Sequence, residues 1–425
     1  MTGQSASQQV RWRLAVPCTV FMLMSSLDRA NISFAATTMN PELGFTPSQY
    51  GFGASVLFIG FLAGQLPSLW LLQRVGMRRW IASCALLWGL AAAAMGFIHT
   101  PMQFYVLRVL IGLAEGGLAP GIVLYLSQFA TEGERARTFT FPMLAIPLSV
   151  VLGAPLSGVL LDMGDGLGMQ GWRFMFVAEA VPTVVLGLLA ASYFPNTPAQ
   201  ARWLSPEQRQ WLATHAARRA PQRERNDWSA LLQPVVVLSG LLWFMLLSGS
   251  YGLIFWLPQV MHALTGMSAT QLGLLGALPW VCVAYGMYWN ATHSDRTGER
   301  YWHVALPALL TAVALAAAWG LGAGGPALLA LMVAGFGLGC AQGAFWALPT
   351  RLMSPAAFSV GVVVVNIAGS AGGMVMPALM GIARERTGGF GGPTALVVVV
   401  MAAAALLVAA IALQERRQAG AARQS

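Results

Sequence analysis

Lysine is absent from this 425-residue chain; all 24 basic residues are arginine. Charge of either sign is scarce, at 9% of residues, where a soluble domain carries about 25%. With 57% hydrophobic residues, that scarcity excludes a soluble globular protein. The formal charge of +9 would suggest nucleic acid on a soluble surface. Here the arginines gather in short segments between apolar runs, where they set membrane topology, and no nucleic-acid partner is expected. Cysteine is rare as well. Cys18, Cys84, Cys282 and Cys340 lie in apolar runs without metal-ligand spacing, which excludes a disulfide framework and reads as small buried hydrophobes. No nucleophile–base set, phosphate-binding loop or metal-ligand cluster is visible. An enzyme is therefore not expected, nor a cofactor, nor a nucleotide-driven pump.

What is present is long apolar runs. A helix crossing a hydrocarbon core of about 30 Å needs about 20 mainly apolar residues. Cutting at charged or turn-rich segments predicts twelve spans. In the first half they cover roughly 14–37, 51–72, 80–98, 102–126, 139–161 and 172–194. In the second half they cover roughly 230–258, 269–290, 303–322, 326–349, 356–381 and 391–413. The first run is too long for a signal-peptide core and reads as a retained helix. An even number of spans puts both termini on one side. That side holds nineteen arginines against three opposite, which predicts both termini in the cytoplasm.

The longest hydrophilic stretch, about 195–229, separates residues 1–194 from residues 230–425. Within it Ser205-Pro206-Glu207-Gln208 supplies a cap, a proline at the first helical position and a glutamine three residues after the cap. A short surface helix through LSPEQRQWLATHAARRA is expected, its arginines against anionic lipid headgroups. The two flanking halves echo each other. Gly44, Gln49, Gly51, Arg74, Gly76, Arg78 and Trp80 match Gly266, Gln271, Gly273, Arg296, Gly298, Arg300 and Trp302, every pair 222 residues apart. Seven pairs in one register imply a duplicated six-helix unit.

The segments RVGMRRW and RTGERYW, after spans two and eight, resemble the signature loop of the major facilitator superfamily. The second copy keeps an aspartate, Asp295, where the first has Gln73. LDRANISFA, FYVLRVLIGLAEGGLAPG and MLAIPLSVVLGAPLSG further resemble the anion:cation symporter family, as do YGLIFWLP, FWALPTRLMS and NIAGSAGG in the second half. The resemblance implies an all-α polytopic protein of twelve transmembrane helices in two pseudo-symmetric six-helix bundles. It also implies import of organic anions such as sugar acids, tartrate, phthalate or hydroxyphenylacetate, usually with protons.

Charge inside the spans points the same way. An ion at the bilayer centre costs on the order of 2.5–3.5 kcal/mol on insertion scales, so it normally faces a partner or an aqueous cavity. Spans one and four are read as the two with charges well inside them: Asp28 and Arg29, and Arg108 and Glu115. Arg108 and Glu115 are seven residues apart and share a helix face, whereas adjacent Asp28 and Arg29 diverge by about 100°. Partners must therefore come from the other helix. Asp28 with Arg108, and Arg29 with Glu115, is the expected pairing, with exchange between them open. Burial favours the neutral acid and a neighbouring arginine favours the carboxylate. An anionic substrate that takes the arginine would leave the carboxylate readier to bind a proton, and the two ligands then assist each other reciprocally. Arginine suits the substrate role because its planar fork grips a carboxylate with two hydrogen bonds. Asp28 and Glu115 are assigned to protons and Arg29 to the substrate carboxylate. Arg108 either tunes Asp28 or makes a second substrate contact. A fixed ion-pair clamp with no part in turnover is the alternative.

In the second half the resemblance places Tyr251, Trp346 and Asn366 at the substrate, with Trp256 also in a cavity-lining motif. Asn31 and Gln65 suit bonds between helices. Gly112, Gly116, Gly117 and Gly121, with Pro120, suit close packing and a bend in span four. Ser26 and Phe61 stand where relatives often have tyrosine, which removes hydroxyl donors and tilts the reading from a polyhydroxylated sugar acid towards an aromatic acid or small dicarboxylate. The expected protein is a proton-coupled importer of a small organic carboxylate, acting as a monomer in the inner membrane. An exchanger or uniporter of the same fold is the alternative. A signalling receptor is disfavoured, since the linker and the tail after Gln414 are too short for a signalling domain.

Overall fold

In a computed structural model, residues 2–130, 135–216, 233–322, 324–353 and 355–421 are described, and their regular structure is wholly helical. The helices are α1 (Thr2–Val10), α2 (Val16–Ala30), α3 (Ile32–Leu43), α4 (Pro47–Met95), α5 (Pro101–Glu115), α6 (Leu118–Ser127), α7 (Arg135–Gly166) and α8 (Gly171–Tyr193). They continue as α9 (Pro206–Ala216), α10 (Pro234–Thr265), α11 (Ala269–Thr297), α12 (Trp302–Leu321), α13 (Gly325–Phe345), α14 (Ala347–Leu352), α15 (Pro355–Thr387) and α16 (Gly391–Ala421). Among the described residues, ten helical stretches are long and apolar enough to cross a bilayer. Two features reconcile ten with twelve. α4 runs on through two spans, broken only where Gly76 takes φ 77°. Span one is divided at Asn31 between α2 and α3, so neither piece reaches full length.

The chain divides into two compact units, Met1–Thr38 with Val56–Arg223, and Met39–Ser55 with Glu224–Ser425. In the first unit α2 packs on α7 and α8. α4 meets α5 along a seam of glycines where backbones touch: a Cβ at Gly60 would collide with the Val109 carbonyl, one at Gly112 with that of Leu57, and one at Gly116 with that of Phe61. Small residues let transmembrane backbones approach closely, so dispersion and dipole contacts replace the missing hydrophobic drive. As expected for a glycine-rich span four, the helix is broken at Gly116 and Gly117, between α5 and α6. In the second unit α10 packs on α15, and α13 on α11 and α12. The 39–55 segment is held there by Tyr50, whose hydroxyl donates to the Phe255 carbonyl at 2.8 Å, and by Gly51 against Pro377.

The internal repeat is structural as well as textual. Gly44 and Gly266 take φ 66° and 61°, and Gly76 and Gly298 take 77° and 69°, a left-handed backbone that costs glycine nothing. Each of the first pair is followed by a reciprocal cap. Thr46 and Gln49 exchange bonds of 3.0 and 3.2 Å, and Ser268 and Gln271 exchange bonds of 3.2 and 3.3 Å. Such caps stabilise a helix start by about 1 kcal/mol. The expected linker helix is α9, and Ser205 and Gln208 form its reciprocal cap at 2.9 and 3.2 Å. The remainder of that stretch, 217–232, lies outside the described residues.

Candidate functional site

The buried charges converge in the first unit. Asp28, Arg108 and Glu115 are at most 3% exposed, and α2 and α5 carry them as the sequence implies. Arg29 Nη2 donates to Glu115 Oε2 at 3.0 Å, with side chains 18% and 0% exposed, so one of the two expected pairs is present. The Arg29 guanidinium also stands over the Phe61 ring, 5.0 Å from its centroid. That contact is worth roughly 0.5–2 kcal/mol and gives Phe61 a place in the site that its missing hydroxyl did not suggest. Gly112 and Gly116 explain how Phe61 comes so near, since they admit the α4 backbone against α5.

The other expected pair differs. Asp28 Oδ2 accepts a short hydrogen bond from the Trp88 indole rather than an ion-pair bond from Arg108. Trp88 stands on the second arm of α4 and is fully buried. Arg108 remains near enough to interact electrostatically with both Asp28 and Glu115. A neutral indole N–H satisfies one carboxylate oxygen without fixing a counter-charge there.

Charge inside the spans is not confined to the first and fourth. Glu179 on α8 is 5% exposed, accepting from Asn31 Nδ2 at 2.6 Å and from Ser157 Oγ at 2.8 Å. It lies early in the sixth apolar run, not far beyond Arg173, where a charge in the sequence reads as interfacial. The signal was available in FVAEAVP, one carboxylate with apolar neighbours on both sides. Trp88 had no comparable signal, since a tryptophan in an apolar run reads as packing.

The candidates in the second unit are neutral. Tyr251 lies on α10 with its ring 6.1 Å from Phe255 and nearly parallel to it. Trp346 sits at the break between α13 and α14, 5.5 Å from the Trp243 ring and 5.2 Å from Phe345. Asn366 is exposed on α15 and donates to its own helix at the Val362 carbonyl, 3.0 Å away. Close by in sequence to Trp346, Gln342 Nε2 donates a short bond to Ser250 Oγ. Trp256 is packed inside, edge-on to Tyr50 at 5.3 Å, which makes it a core residue of this unit. The arrangement offers one buried cation-and-carboxylate centre in the first unit, and aromatic faces with amide groups in the second.

Known proteins resemble this chain over most of its length. A protein of Agrobacterium vitis named for tartrate transport is 38% identical over 388 residues, covering 91% of this chain and 89% of the relative. A quinolone resistance transporter of Acinetobacter baumannii is 32% identical over 383 residues, covering 89% and 88%. Among solved structures, a bacterial homologue of the human lysosomal transporter Spinster superposes with a TM-score of 0.76 at 17% identity, covering 94% of this chain and 95% of that one, which bears on the fold alone. The Major Facilitator Superfamily model matches residues 18–377. The chain therefore belongs to the Major Facilitator Superfamily, a family of membrane transporters with twelve helices in two bundles.

Proposed function

We propose that the protein imports a small organic dicarboxylate of the tartrate type together with protons, by alternating access in the bacterial inner membrane, with both termini in the cytoplasm. The observation that carries this reading is the pairing of half-buried Arg29 with buried Glu115, with Asp28 beside it. Arg29 holds a carboxylate at 3.0 Å, and a substrate carboxylate of the same chemistry competes for it. Once Glu115 yields the guanidinium it is an unpaired carboxylate in an apolar setting and binds a proton. Loading of acid and proton then favour each other. Phe61, apolar under the guanidinium, suits a compact acid better than a long sugar acid, and the relative from Agrobacterium vitis is named for tartrate transport. Tyr251, Trp346 and Asn366 are assigned the remainder of the substrate, with Arg108 as the field that favours anions. Inward movement of one negative charge against 100 mV costs about 2.3 kcal/mol; one proton per charge carried cancels that opposition, and more than one reverses it.

Uptake of radiolabelled tartrate into proteoliposomes, with and without an imposed inward proton gradient, tests the reading. Accumulation only with the gradient, abolished in Glu115→Gln, is expected. Equal exchange with and without the gradient, unchanged in Asp28→Asn and Glu115→Gln, would instead establish an exchanger in which the pair is a fixed clamp. The closed 3.0 Å geometry of Arg29 and Glu115 is what such a clamp would require. A panel of aromatic acids and sugar acids run alongside tartrate decides the substrate class.

A further inference from the structure

Glu179 is a buried carboxyl to which the mechanism above gives no task. Its two oxygens take one bond each, from the Asn31 amide at 2.6 Å and the Ser157 hydroxyl at 2.8 Å. Both partners are neutral, and both can reverse roles. A serine hydroxyl donates or accepts by rotating its proton, and an asparagine amide presents either its nitrogen or its oxygen by turning over. Glu115 is bound differently. The Arg29 guanidinium can only donate and carries a positive charge, so that pair favours the anion. The surroundings of Glu179 therefore accommodate the acid and the carboxylate with the same heavy-atom positions. A second observation agrees: Asn31 Oδ1 is buried without a hydrogen-bond partner, an acceptor that a carboxylic O–H would satisfy.

Asn31 also stands at a sensitive point. It is the residue at which span one divides between α2 and α3, three residues after Asp28 and two after Arg29. The titratable group that faces Glu179 from α2 is Asp28, whose charge interacts with those of both Glu179 and Glu115, and α7 contributes the Ser157 hydroxyl. We propose that Glu179 is a third proton-binding residue of the transport cycle, and that it acts through Asn31 on the bend of span one that carries Asp28 and Arg29. It is a positioning residue with respect to the substrate. A proton that arrives forms an O–H bond on a Glu179 oxygen, and the Asn31 amide turns so that Oδ1 accepts it. When the proton leaves, that bond breaks, the carboxylate is restored and Nδ2 donates again. The effect on transport rests on the symport reading given above; the protonation itself does not.

The full-length protein, reconstituted in lipid vesicles, is titrated from alkaline to acidic buffer while the carboxylic-acid C=O stretch is followed by infrared spectroscopy. A band should grow in the wild type, be missing one component in Glu179→Gln, and shift in frequency in Ser157→Ala, which loses one hydrogen bond. Superimposable titrations of the wild type and a folded Glu179→Gln protein would overturn the proposal. Should Glu179→Gln fail to accumulate, a band that stays in place in both Ser157→Ala and Asn31→Leu would overturn it equally. In a second arm, proton flux is recorded with a pH-sensitive dye during tartrate uptake, and Glu179→Gln is expected to move fewer protons per tartrate with a flattened pH profile. No proton flux in the wild type, alongside a Glu179-dependent band, would remove the symport reading and the transport role of Glu179 while keeping its proton site. Normal flux with superimposable spectra would remove the Glu179 proposal alone.

Discussion

The two halves share a repeat and differ in what they bury. In the first unit the buried polar groups include Asp28, Arg108, Glu115 and Glu179, whereas those among the described residues of the second unit are neutral: Ser55, Ser239, Ser248, Ser250, Gln259, Asn290, Ser294 and Thr311. Both halves of the sequence retain the left-handed glycines and reciprocal caps of one ancestral helix pair. Duplication thus preserved the backbone devices that turn and start helices, while ionic chemistry collected on one copy. The physical reason is that buried charges are tolerable only with close partners. Adding one favours adding the next beside it rather than in a distant copy.

The largest expected effect tests that contrast directly. Arg29→Leu leaves Glu115 buried without its cation, and removing one partner of a buried pair costs roughly 3–5 kcal/mol. Tartrate uptake should fall by about 100-fold or more, and the melting temperature in detergent should drop. Adding Glu115→Leu should restore the melting temperature without restoring uptake, since apolar replacement of both partners is close to neutral for stability. If the double variant stays as unstable as the single one, an uncompensated Glu115 is not what destabilises Arg29→Leu.

A smaller effect separates the packing of the two units. At Gly116 a new Cβ would strike the Phe61 backbone carbonyl, whereas at Gly240 its nearest neighbour is an Ala368 methyl 3.5 Å away. Gly116→Ala should destabilise by about 1–3 kcal/mol and displace Phe61 from Arg29. Gly240→Ala should be nearly silent, as thermal unfolding of the two variants will show. In the second unit, Asn366→Ala removes a side chain bonded to its own helix. It should raise KM for tartrate by roughly tenfold, about 1.4 kcal/mol, with stability unchanged. A drop in kcat at unchanged KM would place Asn366 outside substrate binding.

The smallest effect concerns the repeated loops. Glu299 in the second copy corresponds to buried Met77 in the first. Partial burial opposes ionisation of Glu299. Even so, the N–H groups of Trp302 and His303, with the His303 ring 2.7 Å away, hold its carboxyl below the ordinary glutamate range. A depressed carboxyl contributes stability above its unfolded value, and that contribution is lost as pH falls through the folded value. Hydrogen exchange at the Trp302 and His303 amides should therefore accelerate at acidic pH in the wild type. It should lose that dependence in Glu299→Gln, with no matching change around Met77.

The pairing of Arg29 with Glu115 was legible from seven-residue spacing on one helix and adjacency on the other, because helical geometry restricts which faces can meet. Trp88 and Ser157 were not, for a neutral donor in an apolar run carries no pattern of its own. Asn31 was legible as a group needing an interhelical partner, but nothing in the sequence said which one. Glu179 is visible in the sequence as a lone carboxylate among apolar neighbours, but a position near a span end masks its depth.

By itself the sequence determined a membrane chain, twelve apolar spans, a repeat with an offset of 222 residues and the presence of ions in oily surroundings, because hydrophobic length and charge scarcity are local and additive. Only the tertiary structure decided that Asp28 answers to an indole and that Glu179 is shared among three helices. Such choices depend on the rotation and depth of each helix against its neighbours, which backbone contacts at glycines set to within a side chain's reach.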